Sequence, residues 1–224
     1  MTGISVIIPC YNLGRTVTES LDSVRCQTYP ASELLIIDDG STDPYTKQVL
    51  YQLKKGGTCI VRTSNCGVAA ARNLGIRLTS SPYIVLLDAD DLLEAPYLEK
   101  LSHILDDRPD IDFITCAIQA FEGASYTWTP PPCTFIDTLI RGGPHISTMF
   151  RRTLWEAVGG FDEALLGYED TNFWLSALER GCHGEVLEET LLRYRVRSNS
   201  RYYQAIARGI YVSTMEKIYS KHRR

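Results

Sequence analysis

Carboxylates crowd three places in the chain: Asp38-Asp39, Asp88-Ala89-Asp90-Asp91 and Glu169-Asp170. The middle group follows the apolar run Ile84-Val85-Leu86-Leu87 without a spacer. That is the point where a buried strand leaves its sheet, and where open α/β sheets bind ligands. Like charges this close repel and burial raises their pKa values, so a cation belongs with them. Mg2+ or Mn2+ meets the need, since either takes oxygen ligands and usually contacts substrate phosphates as well. Asp88 and Asp90 share one face of a regular strand, and can bend toward one ion where the chain leaves β conformation. Asp91 is expected to cap a helix starting near Leu92, which leaves Asp88 and Asp90 without a structural task. Asp38 and Asp39 end another strand, where an acidic side chain accepts from ribose hydroxyls or a base N–H; alone, the pair reads more simply as a solvated turn. Glu169-Asp170, alone, reads as a capping pair for a helix starting at Thr171. Arg72 and Asn73 put polar side chains on a helix beside the sheet, although an isolated arginine there equally serves a salt bridge.

The elements that must hold these residues alternate in type. Residues 4–8 are a β-branched strand stopped by Pro9, and Asn12 is placed to cap a helix carrying Val17, Leu21 and Val24. Strand 34–37, helix 45–54, strand 59–62, helix 67–78 and the strand from Tyr83 follow. That order specifies a right-handed, mostly parallel sheet with helices on both faces, and the small residues Val68-Ala-Ala-Ala71 let one helix lie close to it. Later signals are a helix at 95–105, strands at 111–116, 124–128 and 145–150, and a helix at 171–180. Short strands at 186–187 and 191–196 and a last helix from about 202 to 219 complete the reading.

Composition narrows the function classes. A net charge of −4 with signs intermixed argues against nucleic acid as the main ligand. The 7 cysteines form no C-x-x-C pair and read as reduced thiols of a cytosolic protein. The N-terminus carries no secretory pattern, and no apolar stretch approaches the ~20 residues that span a bilayer.

Taken together the motifs resemble a known family. Val6-Ile7-Ile8-Pro9-Cys10-Tyr11-Asn12, Ile37-Asp38-Asp39-Gly40-Ser41-Thr42-Asp43, Asn65-x-Gly67-x-Ala69-x-Ala71-Arg72-Asn73, Leu87-Asp88-Ala89-Asp90-Asp91, Gly159-Gly160-Phe161-Asp162-Glu163 and Glu169-Asp170 look like the family 2 inverting glycosyltransferases of the GT-A fold, in the family's order. The resemblance implies an α/β, mostly parallel Rossmann-like sheet flanked by helices, with a small acceptor-side lobe. It implies one domain, with a nucleotide-binding half at 1–108, an acceptor-binding half at 109–200 and a C-terminal helix at 201–224. Pro9, Tyr11, Asn12, Asp39, Arg72, Asp88 and Ala89 would form the nucleotide site, with Arg72 steadying the acidic cluster and Asp88 facing the ribose. Asp90 would be the direct ligand of Mn2+ or Mg2+ on the diphosphate, Asp170 the general base, and Glu169 its neighbour holding acceptor or geometry. The donor would be a nucleotide sugar, most often a UDP-sugar. The acceptor would be a hydroxyl of a saccharide or lipid-linked glycan, as in surface polysaccharide synthesis.

The chain departs from the family late. Arg197 stands where many relatives carry a histidine; an arginine cannot ligate a metal but pairs with phosphate. No Q-x-x-R-W segment of processive synthases is present, which points to single additions. His145, Trp128 and Trp155 are candidates for the acceptor or sugar. The last helix, with Tyr203, Ile206, Ile210 and Tyr211 on one side and Lys217, Lys221, His222, Arg223 and Arg224 toward its end, suits either packing on its own domain or an anionic membrane surface. A cytoplasmic enzyme, at most resting on the inner membrane face, follows; it could also be a module of a larger protein or a homodimer. A nucleotidyltransferase would need a glycine-rich basic loop after the first strand, which residues 10–15 lack. A phosphoacceptor receiver would need a lysine that residues 111–117 lack. A binding module without turnover is the remaining alternative.

Overall fold

The computed structural model describes residues 2–197 and 209–222. Four parallel strands form one wing: β1 (Ile4–Cys10), β2 (Glu33–Asp38), β3 (Cys59–Arg62) and β4 (Tyr83–Leu86). Between them run α1 (Val17–Arg25), α2 (Pro44–Lys55) and α3 (Val68–Arg77). The chain continues through β5 (Leu92–Leu93), α4 (Tyr97–Asp107), β6 (Phe113–Glu122), β7 (Thr127–Trp128), α5 (Phe135–Arg141), β8 (Met149–Arg151) and α6 (Arg152–Val158). It ends with α7 (Glu169–Glu179), β9 (Gly184–Val196) and α8 (Ile210–Lys221). The sheet order is β3-β2-β1-β4-β8-β6-β9-β5, with β7 on β6; β5, β7 and β8 run antiparallel to their neighbours. No helix among the described residues is long and apolar enough to cross a membrane.

The central strands are buried on both faces, so their alternation sorts side chains between two cores. Ile4, Val6 and Ile8 of β1 and Tyr83 and Val85 of β4 join Leu21 of α1 and Leu101 of α4 on one face. Ile7, Ile84 and Leu86 join Ala69 and Ile76 of α3 and Phe173 and Trp174 of α7 on the other. α3 lies close to the sheet: a Cβ at Gly75 would stand 2.4 Å from Ile7 Cγ2.

Several boundaries differ from expectation for identifiable reasons. β1 runs through Pro9 to Cys10. The carbonyls of Gly3 and Ile7 accept from Tyr83 and Leu87 on the β4 side, and Pro9 shares their parity. β4 ends at Leu86, so the missing N–H of Pro9 falls where no partner strand needs it. The helix expected near Leu92 starts at Tyr97, because Leu92 and Leu93 pair with Arg193 and Leu192 as β5. Only Met149 and Phe150 of the strand expected at 145–150 join a strand. The two short strands after α7 are one, β9, whose pairing with β6 shifts register around residues 188–189. Helix 171–180 starts two residues early, at Glu169, after Tyr168 in the left-handed region. Residues 202–208 of the last helix, including Tyr203 and Ile206, lie outside the described residues, as do Arg223 and Arg224. The described part packs on the body of the protein through Met215 and Ile218, against Leu175, Phe135 and Leu139.

Candidate active site

The loops after β1, β2 and β3 converge at the C-terminal edge of the parallel wing. Asn12, in the left-handed region, does not cap α1; the N-cap is Thr16. Instead, Asn12 Oδ1 accepts from the N–H groups of Thr42 (2.8 Å) and Asp43 (2.9 Å), and its Nδ2 donates to Thr42 Oγ1 (3.1 Å). Asp38 accepts from Ser41 N–H and pairs with Arg62 at 2.8 Å. Asp39 is buried, and its two oxygens accept from the N–H groups of Cys66 (2.9 Å) and Gly67 (3.0 Å), which fixes the entry to α3. Tyr11 and Asn12 are exposed on this edge. Pro9 and Ala89 are buried, and Ala89 packs in the core while its carbonyl accepts from Thr16 Oγ1 at 2.7 Å.

Arg72 joins the two halves of the chain. Its buried guanidinium donates to Asp88 Oδ1 (2.9 Å), just past β4, and to Glu169 Oε1 (2.6 Å), at the start of α7. Burial alone would lower its pKa, but Asp88, Glu169 and Asp170 more than offset this and hold it above its usual value. Asp170 Oδ1 accepts from the N–H of Thr171. Asn73, one residue on, secures the preceding loop: Nδ2 donates to Phe161 O and Glu163 Oε1, and Oδ1 accepts from Phe161 N–H and Trp155 Nε1. Trp155 is thus engaged in packing.

Past Asp88 the chain turns, with the N–H of Asp91 on the carbonyl of Asp88. Asp91 is not a helix cap. It is buried, and its Oδ1 accepts from Arg195 N–H at 2.9 Å. Its other oxygen makes no hydrogen bond among the described residues and lies 3.7 Å from His145 Nε2. His145 Nδ1 accepts from Ser147 N–H, and burial holds the ring neutral, with its pKa lowered to about 4. The nearly buried ring meets Tyr194 edge-on, beneath the acids. Asp90 pairs with Arg197. Burial, then Asp88, still raises the Asp90 pKa against that arginine; burial, then Asp90 and Asp88, raises that of Asp91 well above the carboxylate range. The phenol of Tyr194 is raised by burial and then by all three acids. Burial and mutual repulsion thus both disfavour the charged forms of Asp90 and Asp91. Among the described residues no three metal-ligating side chains converge. All-oxygen donors fit a hard divalent cation held by one or two carboxylates and completed by a ligand's phosphates, rather than a closed protein cage. Trp128, on β7, packs against the first core. A cleft of about 550 Å3 between α7 and α8, lined by Asn172, Glu179, Arg180 and Lys221, contains none of these acids.

Sequence reasoning passed over Arg195, the next-to-last residue of β9, two places before Arg197; the alternation of arginines was the available signal.

The mostly parallel sheet, with an acidic cluster at the exit of its central strand bridged to the start of α7, has the GT-A fold. The glycosyl transferase family 2 model matches residues 5–164, and the chain belongs to that family. It is 26% identical over 216 residues to the glycosyltransferase EpsJ of Bacillus subtilis, covering 88% of this chain and 62% of that one. It is 29% identical over 187 residues to a glycosyltransferase of Haemophilus influenzae, covering 79% of this chain and again 62% of the relative. The chain thus spans about six-tenths of the length of these relatives. Among solved structures it superposes on S. aureus TarS 1-349 in complex with UDP-GlcNAc with a TM-score of 0.77 at 22% identity, over 91% of this chain and 61% of that one. It superposes on a mannosyltransferase from Pyrobaculum calidifontis in complex with GDP-Man and Mn2+ with a TM-score of 0.76 at 20% identity, over 100% of this chain and 65% of that one.

Proposed function

We propose that the chain transfers a single sugar, with inversion, from a nucleoside-diphosphate sugar, a UDP-sugar, to a hydroxyl of a saccharide or lipid-linked acceptor in cell-surface glycan synthesis. One observation carries this reading: the single guanidinium of Arg72 pairs with Asp88 past the strand end and with Glu169, the chain neighbour of Asp170. The TarS complex with UDP-GlcNAc and the mannosyltransferase complex with GDP-Man and Mn2+ support the donor class. The division into a nucleotide-binding half at 1–108 and an acceptor-binding half at 109–200 belongs to the same reading.

Asp170 takes the proton of the acceptor hydroxyl as its oxygen bonds to the anomeric carbon; the bond from that carbon to the diphosphate oxygen breaks, and its electron pair leaves with the nucleotide. Glu169, neutralised by Arg72, orients the start of α7. Tyr11, Asn12 and Asp39 form the rim that receives the nucleoside. Asp90, with Asp88 beside it, would hold Mn2+ or Mg2+, which supplies positive charge to the departing diphosphate. Arg197 lies within reach of the same phosphates, since its guanidinium is already at Asp90.

The test is a panel of nucleotide sugars read by the nucleotide released, with Mn2+, with Mg2+ and with EDTA. Asp170→Asn is expected to keep donor binding and to lose transfer by at least about 100-fold, the lower end of what a positioned base contributes. Full turnover in EDTA would remove the metal from the scheme, and a near-normal Asp170→Asn would move the base elsewhere.

A further inference from the structure

We infer that Arg195 is a positioning residue for the donor site, clamping the backbone of the Asp88-Ala89-Asp90-Asp91 turn so that Asp90 keeps its orientation when its carboxylate changes partner. The inference rests on the donor assignment above and adds a residue to it. Arg195 lies near the end of β9, opposite Phe121 of β6, and its side chain is only 4% exposed. Its N–H donates to Asp91 Oδ1 (2.9 Å) and its Nε to the carbonyl of Asp90 (2.7 Å). One terminal nitrogen reaches Glu19 on α1 (2.6 Å), the other Glu122 at the end of β6, and the guanidinium lies 4.6 Å from the Phe121 ring centroid. A planar fork with a fixed set of donors can tie these elements together; a lysine ammonium, a point charge on a flexible stem, cannot.

Two residues on, Arg197 holds the same aspartate by its carboxylate. Asp90 is therefore gripped twice from one strand end, by its carbonyl through Arg195 and by its side chain through Arg197. The grips differ in permanence. Arg195 is locked between two glutamates and a backbone carbonyl, whereas Arg197 is 25% exposed. If the Asp90 carboxylate exchanges Arg197 for a cation bound with a diphosphate, the turn would stay in place because its backbone is tied to Arg195. Glu19 and Glu122, 54% and 51% exposed, hold Arg195 from the solvent side and contribute little to stability themselves.

Binding of UDP in the presence of Mn2+, measured by calorimetry on the full chain, tests this. Arg195→Met is expected to bind about 10-fold more weakly, the scale on which groups that orient a metal ligand act. The double variant Glu19→Gln/Glu122→Gln, which leaves the bond to the Asp90 carbonyl, is expected to bind within about twofold of wild type even where its Tm falls as far. If Arg195→Met does not fold, Arg195→Lys replaces it with the same expectation. Unchanged affinity in a folded Arg195 variant, an equal loss in the glutamate double variant, or failure of both Arg195 variants to fold overturns the inference. A wild-type chain that binds neither UDP nor GDP with Mn2+ overturns instead the function on which it rests.

Discussion

The two sides of the site are held together by different kinds of contact. On the β1–β4 side, side chains tie the loops through backbone N–H groups: Asn12 to Thr42 and Asp43 and Asp39 to Cys66 and Gly67 between loops, and Asp38 to Ser41 within one. On the other side the ties are charged side chains that cross most of the chain: Arg72 to Glu169, 97 positions apart, and Arg195 to Glu19, 176 apart. The first arrangement shapes a rim from local turns. The second sets the distance between acids on separate elements, so an error there would displace the groups proposed to react rather than the walls of a pocket.

Breaking the second kind is expected to have the larger effect. Arg72→Met leaves Glu169 buried without its guanidinium, and loss of one partner from a buried pair costs about 3–5 kcal/mol. The lower end applies, because Asp88 retains 28% exposure and can turn to water. In the protein that still folds, transfer is expected to fall about 100-fold through misplacement of the α7 acids, with the loss mainly in kcat. Urea midpoints and steady-state rates on one preparation check both. A folded Arg72→Met with wild-type kcat would mean that the two sides do not act as one site.

The rim should respond differently. Asn12→Ala removes three hydrogen bonds at an exposed loop, at a net cost of about 1 kcal/mol because water replaces much of what is lost. Donor KM is expected to rise about 3- to 10-fold with kcat nearly unchanged, the pattern of lost uniform binding. A fall in kcat without a change in KM would erase the distinction between rim and bridge.

The same distinction explains what the sequence disclosed. The parallel wing was legible because each strand is a short, largely apolar run between polar turns. Asp88, Asp90, Arg72 and Glu169 were legible as motifs, whereas the ion pairs of Arg72 with Asp88 and Glu169 became visible only in three dimensions. Asp91 was misread because the preference of aspartate for helix caps is local, whereas its partner, the N–H of Arg195, arrives from 104 positions away. Asn12 and Arg195 share that cause: residue type suggests a cap or a surface charge, and only the meeting of distant elements reveals a tie. His145 lies under the cluster because residues 145–148 leave the sheet before β8 begins, which no periodicity of so short a segment signals.

The smallest expected effect isolates the β1–β4 side from the chemistry. Glu33, at the start of β2, accepts from Ser5 Oγ (2.6 Å) and from the N–H and hydroxyl groups of Ser80 and Ser81, beside the N-terminal ends of β1 and β4 and so away from the acids at their C-terminal ends. Burial alone would raise its pKa, but these bonds prevail and lower it from 4.5 to about 2. A carboxylate lowered in the folded state stabilises fully above its unfolded pKa and loses that contribution as pH falls through the folded one. The advantage of wild type over Glu33→Gln should therefore be constant at neutral pH and shrink between pH 4.5 and about 2. It should stay below about 1 kcal/mol, since the carboxylate keeps contact with water. Urea midpoints at pH 7, 5 and 3.5 measure the slope, and transfer at pH 7 should be unaltered. A pH-independent difference would assign the effect to packing, and a change in transfer would extend the site to an end of the sheet where only structural bonds are expected.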